Sequence, residues 1–287
     1  TPPPLTPLGQ ALAACGITGV MDASATTDAS AAALLAQAHR DGALPQRLWL
    51  MSAAPLAAPK DAAFGVGPLK VLLDDHDLPP LDDIVDRIGQ ARTQERAVAV
   101  HCVTAGELAL TLAAFETAGA RPGDRIEHGG VIPPEAVRSL AELGLCVVTQ
   151  SGFIHERGDR YLARVEARDH DSLYRCGTLL AAGVTVVGSS DAPYGDIDPW
   201  LAMCAAVTRR TRSGAVIGED ERILASTALE LYLRAPLDLT GPARRVRIGE
   251  VADLCLLKAP LAQVMTDPRR EAVAATLIGG RLVFDAR

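Results

Sequence analysis

Two imidazoles and one carboxylate in this chain each follow a short apolar run. Ala97–Val100 leads into His101, Arg125–Glu127 into His128, and Val184–Gly188 passes through Ser189–Ser190 into Asp191. Delivered to one face, such a set suits a Zn²⁺-like divalent metal ion. The ion would lower the pKa of a bound water and polarise a carbonyl oxygen. Asp191 would take the proton from that water and pass it to a leaving amine. A lone histidine at a strand end is more often a satisfied polar group than a ligand. Three such groups in one series of strands point instead to a metal or catalytic site.

Other residues compete for roles. Lys70 lies inside the apolar stretch Pro68–Asp75 (PLKVLLDD), where burying an ammonium is costly unless it is neutralised or paired. A salt bridge to Asp74 or a neighbouring carboxylate is one reading. A Schiff-base amine of a metal-free lyase or isomerase is another. His155 is placed in a polar loop, His155–Arg160, where it would contact substrate or metal, or simply face solvent. His76 reads as a surface-loop residue. Glu127, beside His128, either orients its ring or faces outward in a salt bridge. Ser189 and Ser190 lack a G-x-S-x-G context. Thr1 as an N-terminal nucleophile is disfavoured by the Pro-rich arm that follows it.

Elements that could position these groups recur along the chain. The apolar runs are Ile17–Met21, Arg47–Met51, Leu69–Leu73, Ala97–His101, Arg125–His128, Leu145–Thr149 and Val184–Gly188, with helical stretches between them. Near-continuous apolar strands alternating with helices imply a parallel sheet covered by helices, and functional residues then gather at the strands' C-terminal ends. Helix starts are legible. Thr104 with Glu107 forms a capping box, Pro133–Pro134 precede a helix stopped by Gly144, and Asp198 caps a helix opened by Pro199. Glu219–Leu233 reads as one helix. Ala252–Leu257, Ala272–Ile278 and Arg281–Asp285 read as strands, the last two joined by the hairpin signal Gly279–Gly280. The expected architecture is a TIM-like (β/α) barrel of seven visible strands, lacking its first, over residues 1–235. A small antiparallel β segment follows over 236–287.

Composition narrows the partners. With 287 residues, 48% hydrophobic and 22% charged, the chain can bury a large core. A net charge of −7 disfavours nucleic acid, and no stretch approaches the length of a membrane span. Six scattered cysteines without C-x-x-C suggest reduced thiols and a cytoplasmic setting. An unpaired sheet edge beside the missing strand would favour homo-oligomers.

Three segments also carry a family resemblance. AVAVHCVTAGELALTLAAF (97–115), RIEHGGVIPPEAVRSLAEL (125–143) and GVTVVGSSDAPYGDIDP (183–199) resemble the strand-five, strand-six and strand-eight regions of the amidohydrolase superfamily. They are most similar to its family 3, which includes N-substituted formamide deformylases. The tail segments IGEVADLCLL (248–257) and IGGRLVF (278–284) are similar to that family's closing β-sandwich. The resemblance implies a metal-dependent hydrolase of amide or other C–N bonds acting on a small amide-like substrate. It implies His101 and His128 as ligands and Asp191 as ligand and proton shuttle. It also implies Lys70 as the lysine that is carboxylated and bridges two metals. The family's strand-one His-x-His occurs nowhere here; the histidines are His39, His76, His101, His128, His155 and His170. The competing expectation is therefore an incomplete or truncated amidohydrolase-like barrel without hydrolytic activity on its own.

Overall fold

Val98, Val100 and Cys102 point to one face of a strand, and Ala99 and His101 to the other, as period-two alternation requires. In the computed structural model, which describes residues 3–286, the first set joins a helix-covered core while His101 is left half-buried. Thr1 lies outside the described residues. No helix among the described residues is long and apolar enough to cross a membrane.

The chain forms two compact units, residues 1–67 with 244–287, and residues 68–243. The first contains α1 (Thr6–Ala14), β1 (Gly19–Asp22), α2 (Ala29–Arg40) and β2 (Arg47–Ser52), with β1 and β2 parallel. The second begins within β3 (Gly65–Val71). It continues through α3 (Leu81–Thr93), β4 (Val98–Cys102), α4 (Ala105–Ala118), β5 (Arg125–His128), α5 (Pro134–Glu142) and β6 (Cys146–Thr149). It ends with α6 (Gly152–Arg164), α7 (Gly177–Ala181), β7 (Val186–Gly188), α8 (Pro199–Thr208) and α9 (Ala225–Glu230). Strands β3 to β7 pair in chain order, all parallel. This is the α/β class and the strand–helix succession expected of a TIM-like barrel. Leu69, Val98, Val100, Ile126 and Val147 pack under Ile84, Ile88, Leu112, Phe115 and Leu140 of the covering helices. The rest of the first unit is β8 (Leu254–Leu257), α10 (Leu261–Val264), β9 (Val273–Ile278) and β10 (Arg281–Asp285). Its three strands form the expected antiparallel sheet, ordered β10-β9-β8. Gly279 and Gly280 both adopt positive φ, 58° and 80°, at the two-residue hairpin, a conformation that glycine adopts without strain.

The capping box at Thr104 is present: its hydroxyl accepts from Glu107 N at 3.2 Å, and Glu107 Oε2 accepts from Thr104 N at 2.9 Å. Asp198 caps α8 through Trp200 N at 2.8 Å. Three expectations need correction. The stretch 219–233 is not one helix but a 3₁₀ turn, Glu219–Glu221, followed by α9 after an extended break. Glu221 is diverted there: its carboxylate accepts from Cys176 N and Thr178 N, each at 3.0 Å, and pairs with Arg175 at 2.9 Å. That buried tie outweighs local helix propensity. Second, β3 starts at Gly65 and ends at Val71 rather than spanning 69–73. Its glycines disguise it, and the bare Cα of Gly65 lets Trp49 approach, since a Cβ there would lie 2.6 Å from the indole. Third, His155 sits in α6, not in a loop.

Candidate metal centre

Register gathers the polar groups of the second unit. Lys70 pairs with Ala99 and Ala99 with Arg125, while His101 pairs with Glu127. Lys70, His101, Arg125 and Glu127 therefore share the sheet face opposite the helix-packed core. Glu127 is buried there, 2.9 Å from the Arg125 guanidinium. This corrects the outward-facing alternative for Glu127.

Strict alternation would send the side chain of His128 away from that face. Instead its φ is +75°, and its ring meets that of His101 edge to face with centroids 4.3 Å apart. Asp191 also has positive φ, +54°. Positive φ outside glycine is uncommon, and Ala62, Glu95, Tyr174 and Arg209 also show it. Gly130 follows closely, because a Cβ there would strike Val103 O at 2.5 Å.

A residue that strand-end reading missed fixes the His128 ring. Gln150, directly after Thr149 of β6, holds its amide nitrogen 2.7 Å from Ser189 Oγ and 3.4 Å from Val148 O. Its carbonyl Oε1 is then left to accept from His128 Nδ1 at 2.9 Å. With the amide so oriented, the proton is assigned to Nδ1 and Nε2 keeps its lone pair. Extending the strand-end rule past β6 to amides would have found Gln150.

Electrostatics ties the groups together. Burial, then the charge of Lys70, lowers the His101 pKa. Burial and neighbouring His101 push His128 down to about 4. Both rings are thus neutral at pH 7. Asp191 is raised, chiefly by burial, with Lys70 and Arg157 opposing. Burial pushes Glu127 up, but Lys70, Arg125 and His128 outweigh it and hold the carboxyl below its ordinary value. Lys70 is 4% exposed, and no carboxylate among the described residues lies within 4.0 Å of its ammonium. The salt bridge to Asp74 is absent; Asp74 accepts instead from His76 N at 3.0 Å, in an exposed loop. His155 does not join the cluster: its Nδ1 lies 3.3 Å from Arg210 O.

Neutral imidazoles with an oriented Nε2 fit a borderline divalent cation. Among the described residues, no three His, Cys, Asp or Glu side chains converge to enclose one. His101 and His128 form the converged pair, and the charge of Lys70 acts on both of them and on Asp191.

A parallel sheet with histidines converging at the C-terminal ends of its strands is the arrangement of (β/α) barrels that carry their sites at that face. The chain belongs to the amidohydrolase family, whose pattern it matches over residues 8–284. It is 30% identical over 166 residues to the N-substituted formamide deformylase of Arthrobacter pascens, a match covering 56% of this chain and 31% of that one. Its fold is similar to that of an uncharacterized metal-dependent hydrolase from Pyrococcus furiosus. There the TM-score is 0.63 and the identity 23%, over 76% of this chain and 51% of the other. It also resembles an atrazine chlorohydrolase variant from Arthrobacter aurescens, complexed with zinc and atraton. That match has a TM-score of 0.64 and 14% identity, over 98% of this chain and 72% of the other. The chain thus spans about a third of the deformylase and half of the Pyrococcus hydrolase.

Proposed function

We propose that this chain carries the metal-binding face of a hydrolase of amide or other C–N bonds, with zinc or a similar divalent ion held first by His101 and His128. The observation that carries this reading is the edge-to-face histidine pair, with Nδ1 of His128 committed to Gln150 and Nε2 free. A divalent ion bound there supplies Lewis acidity toward the substrate carbonyl and lowers the pKa of an attacking water. Asp191 acts as proton shuttle, since burial makes its carboxylate a better base than an exposed aspartate. Lys70 projects onto the same face and, once carboxylated, adds an anionic oxygen donor. The six cysteines form no disulfide, which fits a reducing, cytoplasmic setting.

Metal titration of the purified chain and formate release from simple N-substituted formamides test the reading. Zinc binding that His101→Ala and His128→Ala abolish, with turnover that a chelator stops, is the expected result. Binding unaffected by either substitution would sink it.

A second reading is an incomplete hydrolase that needs further chain for turnover. It is favoured by the absence of three converged His, Cys, Asp or Glu donors among the described residues. Metal binding without turnover distinguishes it.

A further inference from the structure

A cation with spare donors stands beside Asp191. Arg157 lies on α6, its guanidinium carbon 3.8 Å from the centroid of the Phe153 ring. Phe153 is buried and meets Tyr174 edge to face at 5.6 Å between centroids, so the platform under the guanidinium is fixed. Nη2 of Arg157 donates to Tyr194 O. Tyr194 N donates in turn to Asp191 O at 2.8 Å, closing a four-residue turn over 191–194. The ends of such a turn are under ~7 Å apart at Cα. Arg157 is thus bonded to one end of the turn that begins at Asp191. Its charge is felt there, where it works against the upward push of burial on the Asp191 carboxyl.

The guanidinium is only partly used. No carboxylate among the described residues lies within 4.0 Å of it, and neither Nε nor Nη1 has an acceptor. Glu156, its chain neighbour, accepts from Asp196 N at 3.2 Å, and the Asp191 carboxyl feels the guanidinium's charge without pairing with it. A planar fork, fixed on an aromatic ring with one edge open, matches a carboxylate bidentately.

Resting on the amide-hydrolase reading, we propose that Arg157 binds a carboxylate on the substrate, beside Asp191, through the one bidentate edge of its guanidinium that the Nη2–Tyr194 bond leaves open. The preferred substrates are then amides and formamides that carry a carboxylate close to the scissile bond. A purely structural arginine, held by Phe153 and Tyr194 alone, would show no such preference.

Calorimetric binding of N-acetylphenylalanine and its uncharged carboxamide, at low salt, tests this without requiring turnover. The expected result is at least a tenfold preference for the acid, abolished in Arg157→Gln. Equal affinities in the wild-type chain, binding of neither compound, or a preference undiminished in Arg157→Gln would overturn it. Should Arg157→Gln fail to fold, Arg157→Lys keeps the charge but loses the fork; an undiminished preference there also overturns the proposal. Hydrolysis is scored separately. A selective ligand that is never cleaved counts against the hydrolase reading alone. Cleavage of a carboxylate-bearing amide and its neutral analogue at equal kcat/KM counts against the role of Arg157 alone.

Discussion

The two ends of the parallel strands in the second unit handle charge in opposite ways. At the N-terminal ends, Asp124 is fully buried and saturated. It accepts from both terminal nitrogens of Arg92, from Val98 N at 2.8 Å and from Arg121 N at 2.8 Å. One carboxylate there ties α3, β4 and the start of β5 together. At the C-terminal ends, Lys70 has no carboxylate partner, two histidines are desolvated side by side, and His128 and Asp191 hold positive φ. A buried network that is satisfied rigidifies, whereas one left short of partners is available to a ligand. One sheet therefore keeps its satisfied charges at one end and the proposed site at the other, the division expected of a (β/α) barrel.

The comparison breaks most visibly at Asp124. Asp124→Ala strands Arg92 and two backbone amides, and should destabilise the second unit by about 3–5 kcal/mol. Denaturant unfolding measures this, and a loss under ~1 kcal/mol would mean that the network is not what holds this end. The next effect comes from His128 in chelator-treated protein. Its folded pKa of about 4 lies below its unfolded value near 6.5, so the unfolded chain binds the proton more readily. Stability should fall as pH drops from about 6.5 to about 4, by about 3 kcal/mol. His128→Asn should keep only the shallower slope owed to His101, which shifts in the same direction. An identical pH slope in the variant would refute the assignment.

Much of this division was legible in the sequence. His101 and His128 close short strands, and the caps at Thr104 and Asp198 are written in short-range patterns that backbone geometry obeys. What stayed hidden depends on contacts between distant segments. Gln150 gains its role only because Ser189, 39 residues away, engages its amide nitrogen and thereby orients its carbonyl. Glu221 breaks a helix-like stretch because it is needed 45 residues upstream, at Cys176. His155 read as loop because a polar run resembles a turn, yet α6 carries it with its apolar residues Phe153 and Ile154 buried. The positive φ that brings His128 to His101 has no signature in residue type beyond the glycine that follows it.

Two smaller effects sharpen the contrast. Gln150→Ala should leave folding nearly intact but weaken metal binding about 10–100-fold, because the His128 ring loses its anchor and its fixed tautomer. Competition against a zinc-binding dye reads the affinity, and unchanged affinity would mean that the ring is held by packing against His101 alone.

The smallest change lies at the functional end but touches stability only. Thr104 starts α4 two residues beyond the end of β4, and its hydroxyl serves the helix in two ways. It accepts from Glu107 N and donates to Asp75 at 2.7 Å. Glu107 is buried, and it also takes Val103 N at 2.6 Å. Removing the hydroxyl leaves that half of the box intact, so Thr104→Ala should cost about 1 kcal/mol. Zinc affinity should not change, because no bond of Thr104 reaches a ring of the histidine pair. A variant that lost stability and metal affinity together would show that the start of α4 positions His101, and the separation of the two ends would then be incomplete at β4.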